Sequence, residues 1–185
     1  MILTIGFCVL TFALLFIDLS TKAWAAATHV QQRKYFLGLI KLNYTENKGI
    51  AFGIASDNRF AMIAITAFTV VLIITIAVLF FTVFKKNRPI QGCLAVIEAG
   101  AIGNLVDRLC LGYVRDFVDV SPTGFGICNL ADFFITFGAV ALCFVILFIG
   151  PSAVWPLKKK WREEAKRREA ETKKRKTDKD QNENG

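Results

Sequence analysis

Residues 1–17, 60–84 and 133–157 contain no Asp, Glu, Lys or Arg, and the two longer runs extend over 25 residues each. About 20 apolar residues suffice for a helix to cross the hydrocarbon core of a bilayer, so runs of this length dominate what the chain can become. Residues 89–109 form a weaker candidate, because Glu98, Asn104, Asp107 and Arg108 interrupt an otherwise apolar segment. Polar groups in a membrane helix are tolerated when they face other helices, and they then point to a site. The expected fold class is an α-helical integral membrane protein with four transmembrane helices, near 2–17, 60–84, 89–109 and 132–154.

Composition supports this reading. Hydrophobic residues make up 54% of the 185, mean hydropathy is +0.46, and 17 residues are Phe. That much apolar surface needs lipid or protein against it and excludes wholesale disorder. The net charge of +8 is uneven: residues 157–185 carry +5 and the rest +3. The basic character therefore belongs largely to a tail and gives no reason to expect nucleic acid. The organisation expected is a membrane domain over 1–156 followed by a basic cytoplasmic tail over 157–185, partly disordered at its end. Residues 1–17 followed by Ala23-Trp24-Ala25 have some likeness to a cleaved secretory signal. No basic residue precedes the apolar run, however, and Asp18 and Lys22 interrupt the approach to the small residues, so a retained span is expected.

Basic residues near span ends set the direction. Lys85, Lys86 and Arg88 lie between spans two and three, and Lys158, Lys159 and Lys160 follow span four. The positive-inside rule puts these regions, and both termini, in the cytoplasm. Segments 18–59 and 110–131 then lie outside. Residues 113–120 have strand-like composition, and Leu37–Tyr44 alternates partly, which predicts a small extracytoplasmic β-sheet cradle.

The same direction gathers polar residues at one membrane face. Asp18 and Lys22 emerge at the outer end of span one. Gly100, Asn104, Asp107 and Arg108 occupy the outer half of span three, within a helical arc of about 100°. Asn129 and Asp132 stand at the outer mouth of span four, and Asp116 lies in the outer connection. Each residue alone has a plainer reading. Asp116 and Asp119 could be loop carboxylates, Asp107 and Arg108 an interfacial anchor, Asp18 and Lys22 a helix-end ion pair, and Asn47-Lys48-Gly49 a turn. A purely structural bundle gives no reason for the grouping.

The chemistry open to such a site is narrow. His29 is the only histidine, and Cys8, Cys93, Cys110, Cys128 and Cys143 form no CxxC pair, so no metal and no cofactor is expected. Spacing alone gives no pairing of Cys110 with Cys128, and a disulfide is not expected. No G-x-S-x-G motif occurs. Two close carboxylates, Asp116 and Asp132, remain: they cannot both ionise easily, so they act as base and acid together. Asn129-Leu-Ala-Asp132 also reads as a helix start, with Asn129 as N-cap and Asp132 at the third position.

Asp18-Leu-Ser-Thr-Lys22, Asn47-Lys-Gly49-Ile-Ala51-Phe52-Gly53, Gly100-Ala-Ile-Gly-Asn104-Leu-Val-Asp107-Arg108, Val114-Arg-Asp116-Phe117 and Asn129-Leu-Ala131-Asp132 occur in this order. In motif, order and spacing the chain resembles the lipoprotein signal peptidases, the type II signal peptidases of bacteria, over roughly residues 8–150. Cys128 departs from the Phe usual in that family, and the basic tail is not required by its pattern. The resemblance implies an aspartic endopeptidase of the cytoplasmic (inner) membrane, expected to be a monomer among membrane lipids. Its substrates would be diacylglyceryl-modified prolipoproteins, cleaved just before the lipid-modified cysteine. Asp116 and Asp132 would be catalytic. Asn47, Gly49, Gly100, Asn104, Arg108, Val114, Asn129 and Ala131 would bind substrate or support the dyad, and Asp18 and Lys22 would brace the first span. The competing classes are a small proton-coupled transporter, which needs polar residues spread through the membrane depth, and a noncatalytic scaffold.

Overall fold

The structure is a computed structural model that describes residues 2–30, 33–35, 39–48, 59–85, 87–148, 163–164, 167–168 and 170–171. Among the described residues, four long helices and a four-stranded antiparallel sheet make up the body. They run in the order α1 (Ile2–Thr28), β1 (Arg33–Tyr35), β2 (Ile40–Asn47), α2 (Arg59–Val78), α3 (Arg88–Leu111), β3 (Val114–Asp119), β4 (Ile127–Cys128) and α4 (Leu130–Phe148).

Helices α1, α2 (with the π turn Leu79–Val83 that continues it) and α4 are long and apolar enough to cross a membrane. Their outward faces carry exposed Phe12, Phe16, Phe60, Phe68, Phe144 and Phe148, a surface that only lipid or another apolar partner can cover. α3 has the length of a span, about 36 Å at 1.5 Å per residue, but a more polar sequence. It packs against each of the other three helices and buries Gln91, Asn104 and Asp107 among them. The body is thus an α-helical integral membrane protein with a small sheet at one end.

Asn87 caps α3, accepting from the Ile90 N–H at 3.3 Å, with Pro89 in the first turn. Gly112, at φ 77°, ends the helix in the left-handed conformation that costs glycine least. The chain turns there directly into β3, so the polar end of α3 and the sheet are neighbours. β3 pairs with β2 and β4. Ala25, Phe117 and Val118 form a small core beneath the sheet, backed by Ile40, Leu42, Phe133 and neighbours. The main helical core lies at the other end, around Ile76, Phe80, Ile90, Leu94, Ile97 and Val145.

Several expectations shift. α1 does not end near residue 17 but continues eleven residues further, because Asp18 and Lys22 neutralise one another inside the bundle and Ala23, Ala25, Ala26 and Ala27 are strong helix formers. α4 begins at Leu130, before the expected 132, and residues 149–154 of the expected span lie outside the described residues. β2 runs through Asn47, with a register irregularity between Leu42 and Thr45, so Asn47 of the alternative Asn47-Lys48-Gly49 turn is strand, and Gly49 lies outside the described residues. Asp119 is the last residue of β3 and not a loop carboxylate; it accepts from the Ser121 N–H at 2.9 Å and from its hydroxyl. Residues 37, 38, 49–53 and most of 157–185 lie outside the described residues; those described in the tail are helical and exposed.

Candidate active site

The start of α4 organises the site. Asn129 is the residue before Leu130, and its side-chain oxygen accepts from the Asp132 N–H at 3.2 Å. Asp132 returns a carboxylate oxygen to the Asn129 N–H at 3.1 Å. This reciprocal pair satisfies two of the donors that a helix N-terminus leaves free, and it fixes the Asp132 carboxylate at the first turn. A third donor, the Ala131 N–H, is satisfied from α1 by Asp18 Oδ1 at 2.9 Å.

Asn129 also reaches the strand. Its Nδ2 donates to Asp116 Oδ1 at 2.6 Å, while Asn47 Nδ2 from β2 donates to Asp116 Oδ2 at 2.9 Å. Asp116 is opposite Thr45 in the β2–β3 register, which places the end of β2 beside it. Asn104 on α3 donates from Nδ2 to Asp132 Oδ1 at 2.8 Å. Both carboxylates are therefore held by carboxamides, which neutralise nothing. Burial, which leaves Asp116 only 2% exposed, pushes its carboxyl up to about 6; the Asn47 bond works against this shift and the nearby Asp132 charge with it.

Behind the asparagines lies an ionic layer. Lys22 is fully buried, with Nζ 2.8 Å from Asp18 Oδ2, 2.8 Å from Asn104 Oδ1 and 3.9 Å from Asp107 Oδ2. Asp107 in turn takes the Arg115 guanidinium, with Nη2 to Oδ1 at 2.6 Å and the Arg115 N–H to Oδ2 at 3.0 Å. Arg115 is held above its ordinary value by that carboxylate. Two carboxylates and two cations balance in this layer, and each charge has an opposite partner in a low-dielectric setting.

Small residues allow the close approach. A Cβ on Gly100 would run into the Ala131 carbonyl oxygen, and one on Gly103 into Asp18 Oδ2. α3 meets α4 at Gly100 and α1 at Gly103 because neither position carries a side chain.

A cavity of about 600 Å³ opens over this arrangement. Its polar end is formed by Asn47, Asn104, Arg108, Asp116 and Asp132, and its apolar wall by Ile65, Phe133 and Phe137, with Phe125 at the tip of the β3–β4 loop. Phe133 and Phe137 stack with centroids 6.0 Å apart. Asp132, Phe133, Thr136 and Phe137 follow one side of α4 from the carboxylate along the helix.

Of the residues singled out from sequence, Asn47, Asn104, Asp116, Asn129 and Asp132 converge in one hydrogen-bonded group. Asp18, Lys22, Gly100 and Ala131 lie directly behind it. Val114 and Arg108 line the cavity; Arg108 donates to the Asn104 carbonyl at 3.4 Å and bonds to neither aspartate. Asp107 turns to Arg115 and is no interfacial anchor. Gly49 lies outside the described residues. Cys110 and Cys128 are both free thiols. Cys128 lines the cavity, and burial pushes its thiol up to about 12. Sequence reasoning missed Arg115, whose only signal was its place next to Asp116. It also missed the wall residues Ile65, Phe125, Phe133, Thr136 and Phe137, which are hidden in apolar stretches.

Comparisons with known proteins match most of the chain. A family model for signal peptidase (SPase) II matches residues 10–148. A lipoprotein signal peptidase of Caldicellulosiruptor bescii is 39% identical over 146 residues, covering 78% of this chain and 91% of that protein. Its counterpart in Caldanaerobacter subterraneus is 37% identical, covering 73% of this chain and 91% of that protein. A bacterial membrane enzyme solved by the in meso method at 1.9 Å superposes with a TM-score of 0.66 at 26% identity, over 78% of this chain and 92% of the other. With most of the chain matched and most of each relative covered, the conclusion is direct: the chain belongs to the signal peptidase II family of membrane proteases.

Proposed function

We propose that the chain is an aspartic endopeptidase that removes the signal peptide from diacylglyceryl-modified prolipoproteins, cleaving just before the lipid-modified cysteine, with Asp116 and Asp132 as the catalytic pair. The observation that carries this reading is the placement of two carboxylates from different elements, joined through Asn129, at the polar end of a cavity with an aromatic wall. Such a cavity suits a substrate with a peptide bond at one end and acyl chains or an apolar helix at the other.

In the reaction, one carboxylate takes a proton from water as the water oxygen attacks the scissile carbonyl. The protonated partner donates to the carbonyl oxygen, giving a gem-diol. Collapse breaks the C–N bond, and the leaving nitrogen of the cysteine receives a proton from the dyad. Burial pushes the Asp116 carboxyl up to about 6, which favours Asp116 as the member of the pair that holds the shared proton. Asn47, Asn104 and Asn129 keep the carboxylates oriented without competing for the proton. Arg108 faces the cavity as a donor for a substrate carbonyl. Lys22, Asp18 and Asp107 brace this frame.

The same reading makes residues 1–156 a four-span membrane domain with α3 as its third span, and residues 157–185 a cytoplasmic tail. Both termini would lie in the cytoplasm of a bacterial inner membrane, with the site at the outer face, and the protein would work as a monomer without a cofactor. The test is incubation of the purified protein with a lipidated prolipoprotein, read as a gel shift. Wild type and Asp119→Asn should cleave; Asp116→Asn and Asp132→Asn should leave the substrate intact. Cleavage by either dyad variant at the wild-type rate would overturn the assignment.

A further inference from the structure

Seven helical threonines, Thr11, Thr21, Thr28, Thr66, Thr69, Thr75 and Thr82, donate their hydroxyl to the carbonyl four residues earlier, at 2.5–3.1 Å. This is the usual way for a hydroxyl to be satisfied inside a membrane helix. Thr136 on α4 has Asp132 four residues before it and does not make that bond, nor any other hydrogen bond among the described residues. It instead lines the cavity, together with Ile65, Phe133 and Phe137. Thr136 is exposed in the cavity, so its hydroxyl is open to a bound molecule, and the local bond made by those seven threonines is not taken.

We propose that Thr136 is a substrate-positioning residue whose hydroxyl donates to a carbonyl oxygen of the bound substrate, one helical turn from the scissile bond. This inference rests on the peptidase reading. The offset from Asp132 along α4 is about 6 Å, four residues at 1.5 Å each. Two parts of a lipid-modified substrate carry a carbonyl at such a distance: the ester of the glyceryl-linked acyl chains, and the peptide backbone on the signal-peptide side. Both are acceptors, as a hydroxyl donor requires. Thr136 and the neighbouring Phe137 are both exposed, so the hydroxyl is free to meet a ligand that enters the cavity.

The test uses the full-length protein in detergent with the lipidated prolipoprotein, comparing wild type, Thr136→Val and Thr136→Ser. Valine keeps the shape and removes the hydroxyl; serine keeps the hydroxyl. The expected result is a KM raised about fivefold to tenfold in Thr136→Val, the size of one neutral hydrogen bond, with kcat within about twofold and KM restored by Thr136→Ser. A merely structural threonine would lower thermal stability without splitting KM from kcat. If Thr136→Val is poorly folded, the pair Thr136→Ala and Thr136→Ser gives the same comparison without the added methyl crowding. A substrate with ether-linked chains separates the two sources. Loss of the KM gap identifies the ester, and a persisting gap identifies the backbone. Equal KM for wild type and Thr136→Val on the ester substrate overturns the proposal. Binding of the lipidated peptide to Asp116→Asn protein, with and without Thr136→Val, separates this proposal from the peptidase reading. A Kd gap without wild-type turnover would retain Thr136 and reject the peptidase. Wild-type turnover with no gap in KM or Kd would do the reverse.

Discussion

Lys22 decides which way the Asn104 amide faces. The ammonium has only donors to offer, so its 2.8 Å contact takes the Asn104 oxygen and turns the NH2 toward Asp132. A lysine that touches no reacting atom thereby orients a carboxylate two contacts away. Lys22→Met keeps most of the stem and removes the charge. Asp18 then remains buried without its cation, a loss of about 3–5 kcal/mol, and Asn104 is free to flip. Both the thermal midpoint and the cleavage rate should fall; a variant with wild-type stability and rate would refute this orientation role.

Asp116 carries a pH signature with a definite sign. Burial raises it from 3.8 to about 6, so the folded protein holds this proton more tightly than the unfolded chain. Stability from this group is full below about pH 4 and is lost as pH rises through about 6, by about 3 kcal/mol. Asp116→Asn cannot ionise, so its thermal midpoint relative to wild type should rise between pH 4.5 and pH 7.5. In wild type, kcat/KM should show an alkaline limb with an apparent value near 6, where the pair loses its shared proton. A kcat/KM that climbs steadily from pH 5 to pH 8 would contradict it.

Gly100 is the point at which α3 touches the backbone of α4. Gly100→Ala places a methyl against the Ala131 carbonyl and 2.9 Å from Ile135 Cγ1, neither of which can yield cheaply. The start of α4 should shift and carry Asp132 with it, cutting the rate by about tenfold or more while the protein still inserts. Gly6→Ala, which meets nothing within 4 Å, is the matched control and should cleave normally.

Cys128 lines the cavity but should be chemically quiet. Its thiol lies 3.4 Å from the Val118 carbonyl, and burial raises it to about 12. Little thiolate forms at neutral pH, and thiolate is the reactive species. Maleimide at pH 7 should label Cys128 slowly, and Cys128→Ala should cleave at close to the wild-type rate. Chelators should likewise leave the rate unchanged. Rapid inactivation traced to Cys128 would count against this assignment.

Much of the helical frame could be read directly, because uncharged runs of 25 residues have few other fates. The errors fall where charges cancel. Asp18 and Lys22 looked like the end of a span, since side chains of opposite sign four residues apart are usually exposed; here they are interior and the helix continues past them. Asp116 and Asp132, the proposed pair, could be singled out because the expected direction gathers polar residues from distant segments at one end, and the structure links the two through Asn129. Arg115 was not, since one basic residue in a strand-like segment looks like ordinary surface, and only the turn at Gly112 brings it back onto Asp107. β4 is two residues long and carries no pattern of its own. Thr136 was invisible for a different reason: nothing in a sequence tells which threonine declines its own backbone.

The β3–β4 connection is closed at its base and open in composition at its tip. The pairs Val118 with Cys128 and Asp119 with Ile127 fasten the two strands, and Asn129 clasps Asp116 to the first turn of α4. Thr123 and Phe125, which face the cavity, lie beyond that fastening and beyond the Val120 N–H bond to the Gly126 carbonyl. Residues 122–125 can therefore be exchanged or lengthened, naturally or by design, while the carboxylates keep their places. In the proposed peptidase, substrate range and bond-breaking would be separable inheritances, divided at a single asparagine.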